Sequence, residues 1–249
     1  MKFKLLATST LLSTLLLFSA CGTSSNNGLG GLGDIASVAL GLPGSAVGTD
    51  EISRGLKEAL SKSSQIVVSQ VGKPGGYLND SDIHIPLPNA LVSARKIGNT
   101  VGMGGFFNDL ESRLNRAAEV AAPKAQSIFL RAIQQMTFND AKQILNGPDN
   151  AATQFFQRNT SDQLSAAMRP IVDQSLAQVG AVTTFNNLLN TYNRIPLAPK
   201  LEADLTTHVL NEGMQGLFFY IAKEEQAIRR NPLKRTSALL QRVFGAGGS

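Results

Sequence analysis

The sequence predicts an all-α fold, a bundle of short and medium helices with one short extended arm. Three observations lead to it. From about residue 50 onward, apolar residues return every three or four positions, the period of a helix face. Ser, Thr, Asp or Asn stands at the head of several of these runs, where a side-chain oxygen can accept from the first free backbone N–H groups. Strand-like alternation is confined to SDIHIPLPNAL, and there Pro86 and Pro88 work against a paired ladder. Residues 50–249 are enough for a single domain with a sizeable core.

In chain order, Asp50 is expected to cap a helix over 50–70 that buries Ile52, Leu56, Ala59, Leu60, Ile66 and Val67, and VGKPGG ends it. The arm follows, with Ile83, Ile85 and Leu87 alternating with His84 and Pro86. A helix over 89–101 stops at GMGG. Asn108 followed by Glu111 resembles a capping box opening a helix that carries Leu110, Leu114, Ala117, Ala118 and Ala121 as far as Pro123. From Pro123 a further helix is expected to bury Ala125, Ile128, Phe129, Ala132, Ile133 and Met136. Thr137, Asp149 and Thr160 are read as caps of three more segments, the last kinked at Pro170. Helices over 183–192, 201–230 and 236–244 complete the bundle.

Ahead of the helical part, Lys2 and Lys4 precede an apolar run over 5–18, long enough for an export signal and too short to span a bilayer comfortably. The run closes on Phe18, Ser19 and Ala20, and the next residue is Cys21, the chain's single cysteine. That order resembles the lipobox of bacterial lipoproteins, in which an apolar and two small residues precede a lipid-modified cysteine. The resemblance implies that 1–20 is a signal peptide cleaved before Cys21, that the Cys21 sulfur carries lipid, and that its new amino group is acylated. Each buried methylene contributes roughly 0.8 kcal/mol, so several acyl chains such as palmitate anchor a protein durably where one does so marginally. With Cys21 modified, no thiol remains for a disulfide, a cysteine nucleophile or a cysteine zinc site. Gly22 stands where an Asp would retain an enterobacterial lipoprotein at the inner membrane, which points to the periplasmic face of the outer membrane.

Residues 21–49 read as the lipidated cysteine and a tether: eight glycines, several Ser and Asn, and Asp34 the one charged residue between Gly22 and Gly48. A flexible chain of this length has a reach of roughly 30 Å. GLGGLG within it matches the dinucleotide-binding glycine pattern in form only, because no strand precedes it.

The blocks NRAAEVAAPKAQSIFLRAIQQMTFNDAKQIL, AATQFF, MRPIV, GLFFYIAKEEQAIRRNP and RTSALLQRVFG cover much of the chain after the tether. Together they resemble the bacterial lipoprotein family known as domain of unknown function 4197. The resemblance implies an exported, all-helical domain without an assigned activity, and it carries no catalytic residue onto this chain.

Local chemistry is sparse. His84 and His208 are the only histidines, so there is no His-x-x-x-His pair and no convincing hydrolase triad, and neither a phosphate-binding loop nor a Gly-x-Ser-x-Gly elbow occurs. Asp204, His208 and Glu212 lie at spacings of four on one helical stripe, a candidate for a divalent metal. Such stripes commonly decorate solvated helix faces, and a usable site needs ligands from elsewhere, so neither metal nor cofactor is expected. Arg116 and Glu119 sit one turn apart on an alanine-rich helix, and Glu224 and Glu225 face Arg229 and Arg230, Glu225 at spacings of four and five and Glu224 at five from Arg229. Arg116, Glu119, Glu224, Glu225 and Arg229 are read either as ion pairs fixing the bundle or as the lining of a charged inter-helix cleft.

The chain has 23 basic and 18 acidic side chains, two of the basic ones in the signal segment, which is no nucleic-acid-binding signature. Arg229, Arg230, Lys234, Arg235 and Arg242 crowd the carboxy-terminal part, where they are placed to meet anionic headgroups or an acidic wall polymer. The expectation is a lipid-anchored cell-envelope protein, a non-enzymatic binding or structural module whose partners are the membrane and an envelope protein, lipid or wall component. The alternative is a periplasmic enzyme or small-ligand carrier working through the charged cleft.

Overall fold

A computed structural model describes residues 48–235 and Gln241. The signal segment, Cys21, the tether up to residue 47, and the rest of the expected last helix with Arg242 lie outside the described residues. Every regular element described is helical, so the protein is an all-α bundle.

Helix α1, Thr49–Val71, opens from Gly48 without a side-chain cap. Asp50 is not the cap; it lies with Glu51 in the first turn, where a negative charge meets the helix's positive end. Its core face runs through Leu56, Leu60, Ser63, Val67 and Val71, and Ile66, one position off that face, is exposed. The loop after Gly72 leads into the arm, where Ile83, Ile85 and Leu87 point into the core and Pro86 to solvent, as alternation requires.

Helix α2, Asn89–Thr100, buries Leu91, Ala94 and Gly98. Gly98 is needed for contact: a Cβ there would lie 2.6 Å from the Phe107 ring. Gly102, at φ +81°, turns the chain into α3, Gly104–Ala121. This helix begins four residues before Asn108, so Asn108 and Glu111 form no capping box, and their side chains are free to reach Arg95 instead. Leu110, Leu114, Ala117, Ala118 and Ala121 are all buried. A 3-10 turn over Ala122–Lys124 accommodates Pro123 before α4, Ala125–Gln135, whose Ala132 is only half-buried.

Thr137 heads α5, Phe138–Leu145, with a complete capping box: Asp140 N–H donates to Thr137 Oγ1 at 3.1 Å and Thr137 N–H to Asp140 Oδ2 at 2.8 Å. Helix α6, Ala151–Gln178, then runs unbroken through Thr160, a position read as the head of a separate segment. Thr160 is buried in mid-helix and donates to the Phe156 carbonyl at 2.7 Å, the back-bond that hydroxyl residues make inside helices. Asp149 is no cap either, since it pairs with Arg230 at 2.5 Å. Pro170 lies within the helix. Gly180, at φ +73°, leads into α7, Ala181–Tyr192. The last long helix, α8, Leu205–Arg230, starts four residues later than expected because Asp204 is its cap, and a 3-10 turn over Pro232–Lys234 follows. The Phe129 ring of α4 meets Phe156 of α6 and Phe218 of α8 edge-on, at 5.4 and 6.1 Å between centroids.

Candidate functional site

The last turns of α8 place Glu225 and Arg229 one turn apart. Glu225 is 6% exposed, yet its carboxylate is fully engaged. Oε1 accepts from Ala152 N–H at 2.9 Å; Oε2 accepts from Thr153 N–H at 2.9 Å and from Thr153 Oγ1 at 3.0 Å. These donors are the free N–H groups of the first turn of α6, which has no side-chain cap of its own. Arg229 donates to Glu225 Oε1 at 2.9 and 3.1 Å and, on its other side, to the carbonyls of Ile144 at 2.6 Å and Leu145 at 3.2 Å, the open end of α5. An anion thus meets a helix start and a cation a helix end, the favourable sense for both dipoles. Glu224 takes no part in this arrangement; among the described residues it meets Lys234 at 4.0 Å, while Arg230 goes to Asp149.

Helix α3 builds a second set. Glu111, Asn115 and Glu119 follow one another at spacings of four, so they share a stripe, and the stripe faces the loop and arm between α1 and α2. Glu119, 1% exposed, accepts from Tyr77 N–H at 3.3 Å and Leu78 N–H at 3.2 Å through one oxygen, and its other oxygen takes Arg116 at 3.0 Å. Asn115 holds both sides of one residue, accepting from Ile85 N–H and donating to Ile85 C=O, each at 2.8 Å. Glu111 receives His84 Nε2 at 2.8 Å and Arg95 at 2.9 Å.

From the opposite side α8 fixes the same segment. Tyr77 donates to the Gly213 carbonyl at 2.7 Å, His208 Nε2 bonds Pro86 C=O at 2.7 Å, Lys223 meets Asp82 at 2.7 Å, and Tyr220 bonds Asp80. Gly216 makes the fit possible, because a Cβ there would come within 2.7 Å of the Tyr77 ring. Burial, and then the Glu119 charge, push the Tyr77 phenol far above its usual range, so it stays a donor. Tyr220 is pushed up to about 12, by desolvation first and then by the hydrogen bond to Asp80.

Several chemical roles are answered by this geometry. Both His84 nitrogens face oxygens, Nδ1 the Leu78 carbonyl at 3.0 Å and Nε2 Glu111, which leaves no ring nitrogen for a substrate. The Asp204, His208 and Glu212 stripe does not converge. Asp204 accepts from Thr207 N–H at 2.9 Å and Thr207 Oγ1 at 2.6 Å as the α8 cap, while His208 is turned to the arm. Those two bonds from Thr207, side chain first, hold the Asp204 carboxyl below its ordinary range. Among the described residues no group of three or more His, Cys, Asp or Glu side chains is arranged to hold a metal ion.

The cavity bordered by Glu225, Arg229, Ala152 and α1 measures about 20 Å³, room for a single water. Larger open grooves, of about 650 and 730 Å³, flank α4 on the α1 and α6 sides, and none of the five charged residues lines them. A pocket of about 180 Å³ joins Asp82, His84 and Glu212 beside Phe219.

Sequence reasoning singled out Glu119, Glu225 and Arg229 but missed Asn115 and the role of Glu111, although the three polar positions spaced by four on α3 were a visible signal. Tyr77 carried none, since its partners lie 42 and 136 positions away.

Comparison with curated proteins and with solved structures gave no match. The family model described as Protein of unknown function (DUF4197) matches residues 46–245, nearly all of the helical part, and the chain belongs to that family.

Proposed function

We propose that this is a lipid-anchored cell-envelope protein whose helical domain is a non-enzymatic binding or structural module. The observation that carries the second half is the engagement of the buried carboxylates. Glu119 and Glu225 have their oxygens filled by backbone N–H groups and arginine, and the space beside Glu225 holds about one water. A ligand cleft needs such groups open to an incoming molecule, and pockets for small molecules are typically some 300–1,000 Å³. These charges close helix ends and hold the arm. The anchor half is supported by the run over 5–18 followed by Phe18, Ser19, Ala20 and Cys21. No helix among the described residues is long and apolar enough to cross a membrane, so Cys21 is the natural point of attachment. The periplasmic face of the outer membrane is the proposed location, on the strength of Gly22.

The test is Cys21→Ser with the signal otherwise intact, in cells given labelled palmitate. Wild type takes up label and sediments with membranes, and the variant does neither. A variant that still incorporates palmitate, or a wild type that never does, refutes the anchor.

A further inference from the structure

We propose that the corner between α2 and α3 is a membrane-contacting tip that seats on an anionic bilayer surface. This rests on the proposed anchor at Cys21, which keeps the domain beside a bilayer. Ile97 and Val101 are one helical turn apart at the end of α2, and Phe106 follows just across the turn; they are 36%, 55% and 40% exposed. The core contacts of α2 run through Leu91, Ala94 and Gly98, and Ile97 and Val101 border that stripe three and seven positions after Ala94, where the end of the helix leaves them, like Phe106, uncovered by the other described residues.

The glycines of the turn add a second observation. Gly102 has a backbone reason, its positive φ, but Gly105 stands in the first turn of α3 where a Cβ would meet nothing within 4 Å. Packing does not require glycine there, and Ala is the better helix former. What two bare positions provide is a low surface over which the backbone can approach a flat partner closely.

Charge completes the argument. From Ile83 to Asn108 the chain has no Asp or Glu, and the next carboxylate, Asp109, is held by Arg113 at 3.0 Å and by the Thr184 hydroxyl at 3.1 Å. Of the tip's two cations, Arg95 is held by Glu111 and Asn108, whereas Lys96 is exposed and has no carboxylate partner among the described residues. A corner exposing Ile, Val and Phe beside one free lysine has the composition of an interfacial contact, apolar side chains at the acyl boundary and a cation at the phosphates. Such a contact is weak alone. The proposed anchor at Cys21 holds the domain at the same bilayer, so the contact forms as an intramolecular event at high effective concentration.

The chain contains no tryptophan, so Phe106→Trp gives a single reporter at the tip, and Phe138→Trp, at a residue 39% exposed on α5, gives a matched one elsewhere. The full lipidated chain is reconstituted in phosphatidylethanolamine and phosphatidylglycerol vesicles. The emission of the first reporter shifts to shorter wavelength and is quenched by brominated acyl chains, and the second keeps aqueous emission. Val101→Asp or Lys96→Glu in the reporter background reduces the shift, as does replacing phosphatidylglycerol by phosphatidylcholine; circular dichroism verifies that each variant is folded. Identical emission from both reporters in a preparation that has incorporated palmitate overturns the tip and leaves the anchor standing. A preparation without palmitate refutes the anchor; the same chain is then titrated with vesicles to millimolar lipid, where even a weak contact registers, and equal emission from both reporters there overturns the tip.

Discussion

Replacing Glu225 by Ala removes the acceptor of two backbone N–H groups at the start of α6 and the ion-pair partner of Arg229, whose side chain is 11% exposed. Removing one partner of a buried pair typically costs about 3–5 kcal/mol, because the other is left uncompensated. Arg229 keeps the Ile144 and Leu145 carbonyls, which softens the loss, while the amides of Ala152 and Thr153 lose their acceptor, which adds to it. The expected effect is therefore about 3–5 kcal/mol, a large share of a typical domain's 5–15 kcal/mol. For a domain of this size that is a melting temperature lower by roughly 6–20 °C. Circular dichroism in urea and on heating measures it, and a cycle with Arg229→Ala isolates the coupling. If the residues instead formed a site kept open for a ligand, Glu225→Ala would be neutral or stabilising, as removal of strained functional groups often is. An unchanged melting temperature together with near-zero coupling refutes the structural assignment of this pair.

Two further predictions bear on the arm and on the cap of α8. Asn115→Ala leaves both polar groups of buried Ile85 without partners and should lower stability by about 2–4 kcal/mol while raising amide hydrogen exchange at Ile85; unchanged exchange there would sink the clamp. Asp204→Ala should cost about 1 kcal/mol at neutral pH, the usual worth of a cap. Because the folded carboxyl titrates below its ordinary 3.8, this contribution is present above that pH and fades as pH falls through the lower folded value. Urea unfolding of both proteins should therefore converge in strong acid, and a constant gap from neutral to acid would contradict it.

How much of this was legible in the sequence depended on the range of the interaction. The stripe Leu110, Leu114, Ala117 and Ala121 was readable because period alone places it, and the Thr137 box because both halves lie within four residues. The boundaries at Asn108, Asp149 and Thr160 were not, since the same polar types that cap helices also bond back to their own helix or to distant arginines. The pairing of Glu225 with Arg229 was visible at a spacing of four, but its main task was hidden, because the amides it serves are 72 and 73 residues earlier. Glu224 is the complementary case. Its spacing invited a partner among the same arginines, and the turn after α8 brings it Lys234 instead.

That long reach back from α8 bears on how the chain comes into being. During synthesis the corner between α5 and α6 emerges first, one helix ending in bare carbonyls and the next beginning with bare amides. The residue that closes the second helix comes 73 positions after the first amide it serves, so it is delivered later whether the chain is leaving a ribosome or crossing a membrane. For most of that interval the arm also lacks one of its two walls, since Gly213, Tyr220 and Lys223 come only shortly before Glu225. The nascent domain is therefore an unfinished object until its last long helix arrives, and a chain cut short before Glu225 would have helices without a finished corner to join them.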